Sequence, residues 1–97
     1  MTAKIYRLSP LAEADLEAIW RYTLDQWSLA QADSYHRSLV ATFEALAIGR
    51  VAGRKAEVRP GYLKRPCGAH VIYFRDHGDR IDIIRILHQR QDVTRNL

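Results

Sequence analysis

From Pro10 to Leu46 the apolar residues recur every three or four positions, and from Val58 to His88 they run in short blocks rich in β-branched and aromatic side chains. That change of period predicts helices in the first half and strands in the second. AKIYRL (3–8) reads as a short strand with Tyr6, Leu8 and Lys4 on one face, so the Lys4 ammonium must reach an edge. Ser9-Pro10 then predicts a helix start, with Ser9 as N-cap and Pro10 where no N–H is needed. Leu16, Ile19, Trp20, Leu24 and Trp27 form one helical stripe, with Thr23 inside it and Tyr22 on another face. Ser28 with Gln31 reads as a Ser-x-x-Gln capping box opening a second helix, whose stripe is Ala32, Tyr35, Leu39, Thr42, Phe43 and Leu46. Gly49 suits its C-terminal cap. The short gap between the helices predicts an antiparallel helical hairpin.

GRVAGRKAE (49–57) is basic and glycine-containing and reads as a loop. Pro60-Gly61 marks a turn or bulge within an extended stretch at 58–66, and Cys67-Gly68-Ala69 is a tight connection. HVIYFR (70–75) and RIDIIRILH (80–88) are strong strands joined by the Asp76-His77-Gly78-Asp79 turn. The order β-α-α-β-β-β belongs to the α+β class. The economical architecture is an antiparallel sheet covered on one face by the N-terminal helical hairpin, with strand one paired into it. The 97 residues fit one domain, 1–97. RQDVTRNL (90–97) is left as a tail without an assigned element.

Composition narrows the function classes. No apolar run approaches the roughly 20 residues of a membrane span, and the first 15 residues lack an apolar signal core. Cys67 is the single cysteine, so there is no internal disulfide. The four histidines are scattered, so no metal or other cofactor is expected, and the expected compartment is the cytoplasm. Charge is uneven: residues 1–49 carry a net −2 and residues 50–97 a net +6. Twelve of the 15 basic residues are arginine, whose planar fork suits carboxylates and phosphates. The C-terminal half is built to meet something acidic, a nucleic acid or an acidic protein, or is simply a solvated basic face.

Candidate chemistry concentrates there. If the strands at 58–66 and 80–88 flank the middle strand, Lys64, Arg85 and His88 can converge near one end of the sheet. A metal-free RNA cleavage site would then use Lys64 and Arg65 on phosphate, Arg85 on developing charge and His88 as general acid. The same cations would equally suit a surface that docks on a protein or on DNA. Glu13, Asp15 and Glu17 read as helix-dipole complements rather than an acid–base pair. Trp20 and Trp27 read by default as core, though two tryptophans can exceed what so small a core hides.

LSPLAEADLEAIWRYTLDQW resembles the first helix of the ParE branch of the ParE/RelE toxin superfamily. VRPGYLKRPCGAHVIYFRDHGDRIDIIRILHQRQDV resembles that branch's three-strand meander and tail. The resemblance implies a toxin of a type II toxin–antitoxin system that poisons DNA gyrase without catalysis of its own, in a hetero-oligomer with a ParD-type antitoxin. The target surface would include Arg59, Arg85, His88, Arg90, Asp92 and Arg95, and the antitoxin would use Leu16, Trp20 and Trp27. The alternative is a ribosome-dependent mRNA endonuclease of the RelE type. Those relatives carry a catalytic tyrosine or a His-Tyr pair near the chain end, whereas this chain has no tyrosine after Tyr73.

Overall fold

A computed structural model describes residues 4–97, so Ala3 of the expected first strand lies outside the described residues. The elements are β1 (Ile5–Leu8), α1 (Pro10–Gln26), α2 (Leu29–Ala47), β2 (Arg54–Lys55), β3 (Leu63–Cys67), β4 (His70–Asp76), β5 (Arg80–His88) and α3 (Val93–Asn96). Both helix starts follow from side-chain caps. Ser9 Oγ accepts the Ala12 N–H at 2.9 Å, and Ser28 Oγ accepts the Gln31 N–H at 3.1 Å, satisfying amides that have no partner inside the helix. Gly49 follows the Ile48 cap at φ +79°, a conformation that a Cβ disfavours.

The sheet order is β1-β5-β4-β3-β2. The β3–β4–β5 meander is antiparallel, as expected, and a β2–β3 pair extends it antiparallel. β1 departs from that pattern and runs parallel to β5, pairing Ile5 with Arg80 through Leu8 with Ile83. The two strands are far apart in sequence, so no tight turn forces them antiparallel. Within the β4–β5 ladder, Phe74 pairs with Ile83 but Tyr73 pairs with Arg85, which leaves Ile84 as an extra residue. The bulge changes which residues face the helices, from Ile81 and Ile83 before it to Ile86 after it. The Ile84 carbonyl accepts the Ser9 hydroxyl at 2.7 Å, so the residue capping α1 also ties α1 to the bulge.

The sheet packs on both faces. On one, Ala12 and Leu16 of α1 and Leu39, Phe43 and Leu46 of α2 meet Ile72, Phe74, Ile81, Ile83 and Ile86. Each large apolar side chain buried there contributes about 1.5–3 kcal/mol. On the other, Val93 and Leu97 of the tail pack with Tyr62 and Val71 against Ala56, Tyr73 and Leu87. The tail is therefore an ordered cover over the second face. Asp92 caps its single-turn helix by accepting the Thr94 N–H at 3.0 Å.

Three further expectations are corrected. The loop at 49–57 contains β2, because Arg54 and Lys55 continue the sheet beside Lys64 and Leu63. The third strand begins at Leu63 rather than Val58. The chain first turns through Gly61 at φ +83°, closed by the Ala56 N–H on the Tyr62 carbonyl at 2.8 Å. The α1 stripe is buried at Ala12, Leu16 and Thr23, but Leu24 and Trp27 are exposed, Trp27 by 75%. Trp27 sits at the C-terminal cap of α1, in the tip of the hairpin.

Candidate functional site

Arg85 lies on β5 just past the bulge, on the tail-covered face. Its Nε and Nη2 donate to the two carboxylate oxygens of Asp15 on α1 at 2.8 and 2.9 Å, while Nη1 donates to the Asn96 carbonyl at 2.8 Å. Asp15 also accepts the Ile86 N–H at 2.9 Å, beyond the point where β1 stops covering the β5 edge. Both side chains are largely shielded, with relative exposures of 16% and 15%. The bond from Asp15 holds the Arg85 pKa above its usual value. Arg85 thus links α1, β5 and the tail with its charge compensated, and its fork is already filled.

This geometry overturns the expected convergence of Lys64, Arg85 and His88. Lys64, Tyr73 and Arg85 are register partners on one face. Leu63 and Cys67 of β3 pack on the helix-side core, so Arg65 alternates onto that side, where its Nη1 donates to the Ala52 carbonyl at 3.2 Å. His88 pairs with His70 at the end of the sheet and, like Ile86, belongs to the helix side. The four residues of the nuclease reading are divided two and two between opposite faces of the sheet.

The remaining target-surface candidates are scattered. Arg59 stands in the turn before β3 with its guanidinium 5.6 Å from the Tyr62 ring centroid. Arg90 is exposed, and its N–H donates to His88 Nδ1 at 3.1 Å. Asp92 is the α3 cap, and Arg95 is exposed on α3. Of the antitoxin candidates, Leu16 is core. Trp20 is half-buried, donates from Nε1 to Asp33 at 3.0 Å, and lines a groove of about 410 Å³ with Leu8, Leu16 and His36. Trp27 stands apart at the hairpin tip beside exposed Leu29.

Sequence reasoning missed a polar cluster at the start of α2. The Tyr35 hydroxyl accepts the Ala69 N–H at 3.0 Å and lies 2.6 Å from His70 Nδ1 and 3.2 Å from the Cys67 carbonyl. The His70 and His88 rings meet edge to face at 5.4 Å. Tyr35 looked like one more stripe residue, and no sequence signal marks its hydroxyl as the partner of a hairpin turn. Burial, with His88 adding to it and Asp15 opposing, lowers the His70 pKa; burial raises that of Tyr35. The unfolded chain therefore binds a proton at His70 more readily than the folded one. This contribution to stability is full above the ordinary histidine value and is lost as pH falls below it towards the lowered value. We expect melting curves between about pH 7.5 and 5 to show a decline of at most about 1.4 kcal/mol per pH unit from this group, flattened in His70→Gln.

Among the described residues no group of three or more metal-ligating side chains comes together, and no helix is long and apolar enough to cross a membrane.

Comparison with known proteins agrees with this architecture. The family model for the ParE toxin of type II toxin–antitoxin systems (parDE) matches residues 6–93. The chain is 46% identical over 94 residues to Toxin ParE1 of Mycobacterium tuberculosis, covering 95% of this chain and 96% of that one. Among solved structures it is similar to the chromosomal ParDE system from P. aeruginosa, with TM-score 0.78, 24% identity and coverage of 89% and 96%. It is also similar to the RelBE2 toxin–antitoxin complex of M. tuberculosis, with TM-score 0.60, 18% identity and coverage of 91% and 100%. At those identities the structural likeness speaks for the fold, which the two toxin branches share. With the family model spanning nearly the whole chain, the chain belongs to the ParE toxin family of type II toxin–antitoxin systems.

Proposed function

We propose that this toxin acts in the cytoplasm by binding DNA gyrase, without cutting RNA, and that a ParD-type antitoxin silences it. The observation that carries the choice is the division of Lys64 and Arg85 from Arg65 and His88 by the sheet itself. An acid, a phosphate clamp and a charge stabiliser must lie within a few ångströms of one scissile bond. Here the intended stabiliser, Arg85, is also neutralised by Asp15. The RelE-type alternative loses its residue set. Binding requires no such convergence, and Arg59, Arg90 and Arg95 are exposed, without an ion-pair partner among the described residues.

The antitoxin would lie along the helical hairpin, where the groove beside Leu16 and Trp20 and the exposed Trp27 and Leu29 offer apolar surface. The test combines purified toxin, gyrase, plasmid DNA and ATP. Lost supercoiling with protein-linked linear DNA, reversed by antitoxin, is the expected result. An Arg90→Ala/Arg95→Ala variant should keep its fold and require about tenfold more protein for the same effect, a loss of roughly 1.4 kcal/mol. Normal supercoiling at high toxin excess would overturn the gyrase reading.

A further inference from the structure

The tail-covered face carries a second concentration of arginine that neither the Asp15 pair nor the family assignment explains. Arg54 of β2 and Lys64 of β3 are register partners, so their side chains stand on the same face. Arg75 lies on β4 two residues beyond Tyr73, the partner of Lys64, and so diagonal to Lys64, roughly 7–8 Å away. Arg75 and Arg59 both stack on Tyr62, at 5.4 and 5.6 Å from the ring centroid. None of these four cations has an ion-pair partner among the described residues. Three carboxylates border the group. Asp82, the register partner of Arg75 on β5, is held by Arg80 at 3.0 Å and lies 3.0 Å from His77 Nε2. Asp76 is held by Lys4 at 2.8 Å, and Glu57 is exposed in the turn that carries Arg59.

We propose that this face binds duplex DNA through its phosphate backbone, with Arg54, Arg59, Lys64 and Arg75 as the contacts. An acidic protein would meet the same charge, but the apolar surface that a protein interface buries at its centre is elsewhere. Of the large apolar residues left exposed, Leu11, Tyr22, Leu24, Trp27 and Leu29 lie on the helical hairpin, Ile48 just after it and Ile5 on the far edge strand. Among the described residues only Val58 of these borders the cations, because Val93 and Leu97 of the tail already cover the middle of the face. Single-stranded nucleic acid would need open aromatic rings for stacking. Tyr62 carries two guanidinium groups and Tyr73 is buried. What remains is a row of cationic donors, three of them planar guanidinium groups, without a base-stacking platform, suited to the closely spaced charges of a duplex. The choice of DNA over RNA rests on the gyrase reading; the phosphate-binding face does not.

The test uses the full-length toxin without gyrase and a short fluorescent DNA duplex, followed by anisotropy across salt concentrations. Four phosphate contacts give a slope of log K against log salt of about −3.6, a loss of roughly 150-fold between about 50 and 200 mM salt. Changing all four residues to glutamine should flatten the slope nearly to zero. Arg54→Gln alone, at an exposed position on a two-residue edge strand, should reduce it by about 0.9 and guards against a folding failure in the quadruple variant. Wild-type slope in a folded quadruple variant would overturn the proposal. So would tighter binding of a duplex RNA of the same sequence, or polyglutamate competing as well as unlabelled DNA. DNA binding with the expected slope in a toxin that leaves gyrase untouched would uphold this face and sink the gyrase reading, so the two failures are distinguishable.

Discussion

Asp15→Ala will destabilise the toxin by about 3 kcal/mol and lower its melting temperature by roughly 12–24 °C. The carboxylate holds both donors of the Arg85 fork and the Ile86 N–H, all within 2.9 Å. Its removal leaves a shielded guanidinium without a counter-charge and an edge amide without an acceptor. Breaking a buried pair from one side costs about 3–5 kcal/mol, and the residual exposure of this pair places it at the lower end. The penalty belongs to the orphaned partner. A second change, Arg85→Met, should therefore recover part of it, although the Asn96 carbonyl still loses its donor. Urea denaturation of both single variants and the double variant measures the coupling. A loss below about 1 kcal/mol for Asp15→Ala would contradict this account of the pair.

The same link changes how toxicity data on Arg85 are to be read. Its Nη1 holds the end of α3, and α3 carries Arg95. Truncating Arg85 therefore loosens the tail and removes a structural ion pair together. Reduced growth inhibition in such a variant would report the tail's position as much as any contact with a target. Arg90 and Arg95, exposed and outside that network, separate binding from folding.

Much of the fold was legible because it rests on local signals. Ser9-Pro10 and Ser28 start helices through bonds spanning three residues, and HVIYFR and RIDIIRILH have β-branched density that no helix pattern matches. The parallel placement of β1, the short β2 and the packed tail were not legible, since each depends on neighbours distant in sequence. The site failed for a sharper reason. Side chains alternate faces along a strand, so adjacent Lys64 and Arg65 stand on opposite faces in any register, as do Arg85 and His88 three apart, a parity the expected convergence overlooked. The bulge at Ile84 then decides which of Arg85 and His88 shares the face of Lys64. Nothing in IDIIRILH marks that one residue as unpaired. Asp15 was explained well enough by the dipole of α1, and a satisfied local explanation concealed a partner 70 residues away.

Trp27→Ala should leave the fold within about 0.5 kcal/mol of wild type and weaken antitoxin binding by roughly 30-fold or more. The first half follows from exposure. Three quarters of Trp27 is open to solvent and its neighbour Leu29 is 57% exposed, so truncation removes little internal packing. The second follows from chemistry. A solvated indole beside an exposed leucine at the tip of a rigid hairpin is the kind of anchor whose burial dominates an interface, worth about 2 kcal/mol or more. The other two antitoxin candidates cannot make this separation. Leu16→Ala opens the core against β5 and costs about 2–5 kcal/mol of stability. Trp20→Ala leaves Asp33 without its indole donor and empties the wall of the groove. Only Trp27 lets affinity fall while the melting temperature stays. Titration calorimetry of the variant against the antitoxin, paired with its melting curve, decides the matter. Unchanged affinity would remove the hairpin tip from the interface and confine the antitoxin to the groove beside Trp20.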